Sequence, residues 1–236
     1  MNQLDTSILH YFISVSKNLP AVNSFMRFIV DNELLKGGIV VSLLWYLWFR
    51  KDDNSAGEKR QRIILTLMSC IFAVFVARLL TNVLPFRLRP LVSDNFKIFY
   101  PYNSMVDGLS LETSLPSDHA VLFYALATGI FLVSKKEGIL AYLYVSLIIC
   151  LPRVYLGLHY PTDILLGAAI GVIITIAFFF IKIWQPVTTK IMQFSEKYPG
   201  LFYSLFFLIS FEIGSLFDSL REAMHFLLST LKTNIL

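Results

Sequence analysis

Six apolar runs, separated by short polar segments, are the feature that most restricts how this chain can fold. They cover residues 36–49, 63–86, 118–134, 138–158, 162–184 and 200–217. A helix that spans a bilayer needs about 20 mainly apolar residues. Only 15% of the chain is charged, whereas soluble domains carry about 25%. We therefore predict an all-α fold, a polytopic membrane helical bundle with about six transmembrane helices.

The two ends of the chain differ from this central part. Residues 1–33 hold two short apolar patches interrupted at residues 18–20, which favours an interfacial N-terminal segment. Residues 218–236 form an amphipathic tail that either lies at the surface or extends the last span. The predicted organisation is thus an N-terminal segment (1–33), one membrane domain (34–217) and a tail (218–236).

Basic residues are distributed unequally between the two sets of connecting segments. Segments 50–62, 134–138 and 182–199 hold ten Lys and Arg residues, whereas segments 87–117 and 153–161 hold four. Because the basic side of a membrane protein usually faces the cytoplasm, the four-charge side should face the periplasm or the cell exterior. We expect a multi-pass protein of the inner (plasma) membrane. The net charge of +4 is modest and does not indicate nucleic-acid binding.

Three polar clusters fall on the predicted outer side. They read NVLPFRLRP (82–90), LPSDHA (115–120) and LPRVYLGLHYPTD (151–163). Each adjoins the end of an apolar run, and the alternating direction of the runs brings all three to one membrane face. Charged groups inside or beside a membrane are costly and usually functional, so the clusters are expected to form one site.

Several groups in these clusters suit a phosphate. Arg89 and Arg153 offer forked donors that match phosphate oxygens. Ser117 precedes an apolar helix as a good N-cap, and the start of such a helix favours anions. His119 lies in the first turn, where it is placed to protonate a leaving oxygen.

The third cluster supplies a nucleophile. His159 precedes Pro161, a residue that favours the first position of a helix. Asp163 follows four residues after His159, where it can accept a hydrogen bond from the imidazole and raise its nucleophilicity. His159 would attack phosphorus, and His119 would act as the acid. We expect neither a metal nor a cofactor; a metal site of Asp118, His119, His159 and Asp163 is the alternative, although zinc-like ligand spacing is missing.

The clusters resemble the three-part motif of the type 2 phosphatidic acid phosphatase superfamily. That motif is K-x-x-x-x-x-x-R-P, P-S-G-H and S-R-x-x-x-x-x-H-x-x-x-D, and the chain reads NVLPFRLRP, PSDH and PRVYLGLHYPTD, with a motif core at about residues 60–185. The resemblance implies a helical membrane fold and phosphatase activity. It also implies catalytic roles for His159, His119 and Asp163, and substrate-binding roles for Arg89, Ser117 and Arg153.

The chain departs from the motif at three positions. Asn82 replaces Lys, Asp118 replaces Gly, and Pro152 replaces Ser. Arg87 or Arg78 is the candidate for the missing cation, and we assign Asn82, Asp118 and Arg87 to substrate binding. Asp118 can also be read as a helix N-terminal charge without chemistry. This motif form resembles the undecaprenyl-diphosphate phosphatase branch of the family.

The resemblance implies a lipid phosphate or diphosphate phosphatase that hydrolyses undecaprenyl diphosphate to undecaprenyl phosphate and phosphate at the outer face. Its partners would be the lipid phosphate and the membrane. Three alternatives are a phosphatase for phosphatidylglycerophosphate or another phospholipid, a phosphotransferase to a lipid acceptor, and a non-catalytic lipid transporter. The intact arginines, histidines and Asp163 argue against the transporter.

Overall fold

Helices account for all the regular structure in the part of the chain that the computed structural model describes, residues 2–50, 56–93, 96 and 113–218. Two π-helical segments, Leu34–Gly38 and Val145–Cys150, join directly to α3 and α7. Short 3₁₀ turns occur at Pro90–Val92 and Lys182–Trp184. The α-helices are α1 (Gln3–Asn18), α2 (Pro20–Asp31), α3 (Ile39–Phe49), α4 (Ala56–Thr81), α5 (Asp118–Val133), α6 (Lys135–Tyr144), α7 (Leu151–Tyr155), α8 (Pro161–Phe180), α9 (Gln185–Lys197) and α10 (Pro199–Gly214).

The six predicted apolar runs all form helices. Three of these are long and apolar enough to cross a membrane, namely Ala56–Thr81, Lys135–Tyr155 and Pro161–Phe180. Leu34–Phe49, Asp118–Val133 and Pro199–Gly214 are shorter apolar helices. The predicted membrane helical bundle is therefore confirmed. The second run was predicted at 63–86, but the helix covers Ala56–Thr81, because the mainly charged residues 58–62 belong to it and the turn after Thr81 does not.

Helix α5 is the centre of the bundle. Its residues are apolar on every side, and nearly all those from Ala120 to Ile130 are buried, as expected for a helix surrounded by others. It packs against α4, α6 and α8. Two glycines of α8 allow a close approach: a Cβ on Gly167 would lie 2.7 Å from the Ser117 carbonyl oxygen, and one on Gly171 would lie 2.2 Å from that of Val121. This contact sets the spacing between the second and third motifs.

Helices α1, α2 and α9 lie in the segments that flank the apolar runs. Helix α1 packs against α2, α7 and α8, and its residues Asp5, Leu9 and Ile13 are buried. Whether α1 and α2 also lie at the membrane interface stays a prediction. Segment 182–199, taken as a connection, contains the helix α9. The tail beyond residue 218 and most of the outer segment 87–117 lie outside the described residues.

Candidate active site

A cavity of about 500 Å³ opens where α4 ends and α5 and α8 begin. All three motifs contribute to its wall. Of the residues assigned from sequence, six line it: Asn82, Arg89, Asp118, His119, Arg153 and His159. The remaining three, Ser117, Asp163 and Arg87, are not among the residues that line it.

A tight turn between α7 and α8 presents His159 to the cavity. The turn depends on Gly157, whose φ of 70° is unfavourable for a residue with a side chain. Gly157 also accepts a 2.9 Å hydrogen bond from the Leu91 amide, which ties the turn to the first motif. The Nδ1 of His159 lies 2.9 Å from the Ser114 carbonyl oxygen. Because a carbonyl only accepts, Nδ1 carries the proton and Nε2 keeps the lone pair that a nucleophile needs.

Asp163 does not make the hydrogen bond to His159 that the sequence suggested. Its Oδ2 is 3.8 Å from the histidine Nδ1, which is too long for a hydrogen bond. The same oxygen accepts instead from the Tyr160 amide at 2.8 Å, as part of a capping box at the start of α8. Asp163 is completely buried, so it acts on His159 as a neighbouring negative charge and as the anchor of the turn.

The environment of His159 favours the neutral imidazole. Burial lowers the pKa of His159, and the adjacent Asp163 carboxylate opposes this shift. The positive charge of Arg89 adds to the lowering. A neutral histidine at physiological pH is the form required for attack on phosphorus.

His119 faces the same cavity from the first turn of α5. Its Nε2 is shielded from solvent and has no hydrogen-bond partner among the described residues. Ser117 occupies the predicted N-cap position of α5, yet its hydroxyl makes no capping bond and is likewise without a partner in this part of the chain. Buried polar atoms are rarely left unpaired, so the Nε2 of His119, which lines the cavity, marks a place prepared for a polar ligand.

Two arginines, Arg89 and Arg153, also line the cavity. Arg153 is almost fully buried and donates a 2.5 Å hydrogen bond to the Ile149 carbonyl oxygen. That carbonyl belongs to the π-helical segment Val145–Cys150, and such segments are frequent at functional sites. Arg89 follows the turn after α4 and bonds to the Leu158 carbonyl oxygen at 3.5 Å. Both guanidinium groups line the cavity with His159.

Arg87 does not supply the missing motif cation. Its guanidinium donates 2.6 Å hydrogen bonds to Asp163 and to Asp5, and it also lies over the Tyr160 ring. Asp5 belongs to α1, is completely buried, and accepts a further bond from the Thr162 amide at 3.0 Å. Arg87 therefore holds the start of α8 in place without lining the cavity. Nothing in the local sequence around Asp5 indicated this role.

The cavity obtains its additional positive charge from other residues. Arg78 lines the cavity and pairs with Asp118 at 2.6 Å, while Asn82 donates to the Arg78 carbonyl oxygen. Lys36, at the beginning of the first apolar run, also lines the cavity and was missed in the sequence. Its position at the edge of an apolar run was the only available signal. Lys36 is far from the three motifs in sequence, which gave no reason to place it at the cavity.

The central part of the chain matches a known protein family. Residues 62–186 match the model of the PAP2 superfamily. The chain belongs to the PAP2 superfamily. This confirms the predicted enzyme class, a lipid phosphatase, for a multi-pass membrane protein. The PAP2 match includes Arg89, His119, Arg153, His159 and Asp163 but neither Asp5 nor Lys36.

Several curated proteins are similar to the chain at low identity. The bacitracin transport permease protein BcrC of Bacillus licheniformis is 24% identical over 73% of this chain and 77% of its own length. The undecaprenyl-diphosphatase BcrC of Bacillus subtilis (strain 168) is 22% identical over 77% of this chain and 86% of its own. The lipid A 1-diphosphate synthase of Escherichia coli (strain K12) is 23% identical, with coverage of 84% and 83%. No solved structure matches the chain with significance.

Proposed function

We propose that this protein hydrolyses undecaprenyl diphosphate to undecaprenyl phosphate and inorganic phosphate. One observation carries the proposal: two histidines and two arginines, His119, His159, Arg89 and Arg153, line a single cavity. The anchored Nδ1 of His159 leaves its Nε2 as the nucleophile. The combination of nucleophile, acid and cations fits phosphoryl transfer.

The reaction proceeds in two displacements. The Nε2 of His159 attacks the terminal phosphorus, and the bond from that phosphorus to the bridging oxygen breaks with the release of undecaprenyl phosphate. His119 donates a proton toward the bridging oxygen, and Arg89 and Arg153 stabilise the charge on the equatorial oxygens. Water then attacks the phosphohistidine, gives a proton to His119, and releases phosphate with a free His159.

A diphosphate suits the altered motif better than a phosphate ester. Asp118 pairs with Arg78 and so reduces the positive charge next to His119, and Asn82 stands where the motif usually has Lys. The leaving group of a diphosphate is a phosphate monoester with a second pKa of about 6, which needs less assistance than an alkoxide. The name of the Bacillus subtilis relative supports the same substrate.

We place the reaction at the outer face of the plasma membrane. The proposal rests on the ten basic residues of the segments on the opposite side of the predicted spans. An undecaprenyl diphosphate phosphatase there would return a carrier lipid to cell-wall synthesis.

Transfer of the phosphoryl group to a lipid acceptor is a second candidate. The similarity to the lipid A 1-diphosphate synthase favours it, because a phosphohistidine can pass its phosphoryl group to another hydroxyl as well as to water. Hydrolysis releases phosphate in the absence of a lipid acceptor, whereas transfer to a lipid does not, so this measurement separates the two reactions.

The test is a phosphate-release panel with purified protein and several lipid phosphates, including undecaprenyl diphosphate, phosphatidate and phosphatidylglycerophosphate. Hydrolysis should be fastest with the diphosphate and should survive EDTA.

His159→Ala should reduce kcat by several orders of magnitude and abolish labelling of the protein by substrate labelled in the terminal phosphate. His10→Ala, outside the cavity, is the control. Near-normal activity of His159→Ala would refute the mechanism, and a preference for a monoester would refute the substrate.

A further inference from the structure

Lys36 is a buried cation at the active-site cavity. It belongs to the π-helical segment Leu34–Gly38 that precedes α3, and its side chain is only 8% exposed. It lines the same cavity as His119 and His159. Burial of a lysine is unfavourable unless its charge is compensated, and two carboxylates, Glu33 and Asp218, pair with it here.

The backbone around Lys36 is held firmly in place. Gly37 packs so closely against α10 that a Cβ there would lie 2.0 Å from the Gly214 carbonyl oxygen. On the other side of Lys36, the carbonyl oxygen of Leu35 accepts a 2.8 Å hydrogen bond from the hydroxyl of Tyr144. Side chains that bind a ligand precisely are usually supported in this way.

The hydrogen bonds of Lys36 leave room for an anion. Its Nζ donates to Glu33 at 2.6 Å and to Asp218 at 2.9 Å. An ammonium group has three donors, so among the described residues one remains for a ligand. Both carboxylates are substantially exposed, at 59% and 40%, so they can be solvated if the lysine turns further toward the cavity.

The surroundings of Lys36 also indicate which part of a substrate it faces. Glu33 and Asp218 line a second, largely apolar groove of about 770 Å³ between α3 and α10, with a wall that includes Trp45, Phe207 and Phe211. Lys36 therefore lies between the histidine-containing cavity and an apolar surface. A lipid diphosphate has this order of groups: a reacting phosphate, a second phosphate and an apolar chain.

We infer that Lys36 binds the chain-proximal phosphate of a lipid diphosphate. This inference rests on the proposed function and deepens it. With the terminal phosphorus at His159, the second phosphate reaches Lys36, and the chain continues toward the groove. Negative charge accumulates on this second phosphate as the bond to the bridging oxygen breaks, and Lys36 stabilises it. The cation missing at Asn82, next to the reacting phosphate, is thus replaced by one next to the leaving phosphate.

The experiment compares kcat/KM for undecaprenyl diphosphate and for a lipid monoester, phosphatidate, in the full-length protein. Lys36→Met should lose tenfold to a hundredfold on the diphosphate, roughly the range for a hydrogen bond between charged groups, and change little on the monoester. Lys36→Arg should restore most of the loss. The double variant Lys36→Met/Asn82→Lys keeps the net charge of the cavity and should not restore the diphosphate preference. Equal losses on both substrates, or full recovery in the double variant, would overturn the inference.

A second measurement does not depend on lipid hydrolysis. Inorganic pyrophosphate should stabilise the wild-type protein against thermal unfolding more than inorganic phosphate does, and Lys36→Met should remove that difference. If the wild type hydrolyses no diphosphate, the proposed function fails, and the pyrophosphate comparison still decides the role of Lys36. An unchanged pyrophosphate preference in Lys36→Met would overturn that role.

Discussion

Arg87 donates a 2.6 Å hydrogen bond to Asp163 although 76 residues separate them in sequence. The pair joins the first motif to the third behind the cavity wall, and Asp5 of α1 completes it from the other side. The position of His159 therefore depends on a buried cluster of one cation and two carboxylates as well as on its own turn.

Loss of Arg87 should destabilise the protein strongly. Arg87→Gln leaves two fully buried carboxylates, Asp5 and Asp163, without their cation, and breaking a buried pair costs about 3–5 kcal/mol. Arg27→Gln removes one member of an exposed pair with Asp31 and should cost about 0–1 kcal/mol. Unfolding of the purified proteins in detergent measures both changes, and equal stability of the two variants would contradict the structural role of the cluster.

The pH dependence of kcat/KM should report the pKa of His159. Burial lowers that pKa, so the acid limb is expected below the ordinary histidine value of about 6.5. Asp163 favours the protonated imidazole and partly opposes this shift. Asp163→Asn should therefore move the acid limb to still lower pH while reducing the maximum rate. An acid limb that moves to higher pH would contradict the electrostatic role given to Asp163.

The close packing of α8 on α5 should be sensitive to a single methyl group. Gly171→Ala places a Cβ 2.2 Å from the Val121 carbonyl oxygen, so the helices must separate. Among the residues that the structure describes, none outside the local helix turn approaches within 4 Å of a Cβ on Gly200. We expect Gly171→Ala to lower the Tm and the activity together, because α5 carries His119 and α8 follows directly after the turn that holds His159. Gly200→Ala should leave both nearly unchanged. A Gly171→Ala protein with normal Tm and kcat would show that the helices need not approach this closely.

Asp118 should restrain Arg78. Asp118→Asn removes a negative charge beside the cavity and breaks the 2.6 Å ion pair, so competitive inhibition by inorganic phosphate should become several-fold stronger. Glu58→Gln, which disrupts an exposed pair with Arg62 away from the cavity, serves as the control. Weaker inhibition in Asp118→Asn would mean that Asp118 holds the cations in their binding positions.

The orientation in the membrane can be tested with single cysteines. Both native cysteines, Cys70 and Cys150, are buried and should give little background. Val83→Cys, at a position 81% exposed and next in sequence to the cavity-lining Asn82, should react with an impermeant thiol reagent in intact cells. Glu196→Cys, on the exposed surface of α9, should react only after the cells are opened. The opposite pattern would place the site in the cytoplasm.

The sequence by itself determined the fold class and the core of the candidate site. In lipid, a run of apolar residues must form a helix so that its backbone N–H and C=O groups are hydrogen-bonded. The six helices therefore followed from the composition and length of the six runs. The spacing of the motifs at the ends of those runs was enough to bring Arg89, His119, Arg153 and His159 to one face, because a rigid helix fixes where each of its ends lies.

Only the tertiary structure decided which groups serve those residues. The Asp163 carboxylate was expected to accept a hydrogen bond from His159, but it accepts from the Tyr160 amide and from Arg87 instead. The Ser114 carbonyl oxygen accepts the hydrogen bond from the His159 Nδ1. Asp5 and Lys36 reach the site from helices distant in sequence. Helix packing decides which charged groups come within about 3 Å of each other and form buried ion pairs. The local sequence around a residue does not indicate which distant residue will lie that close.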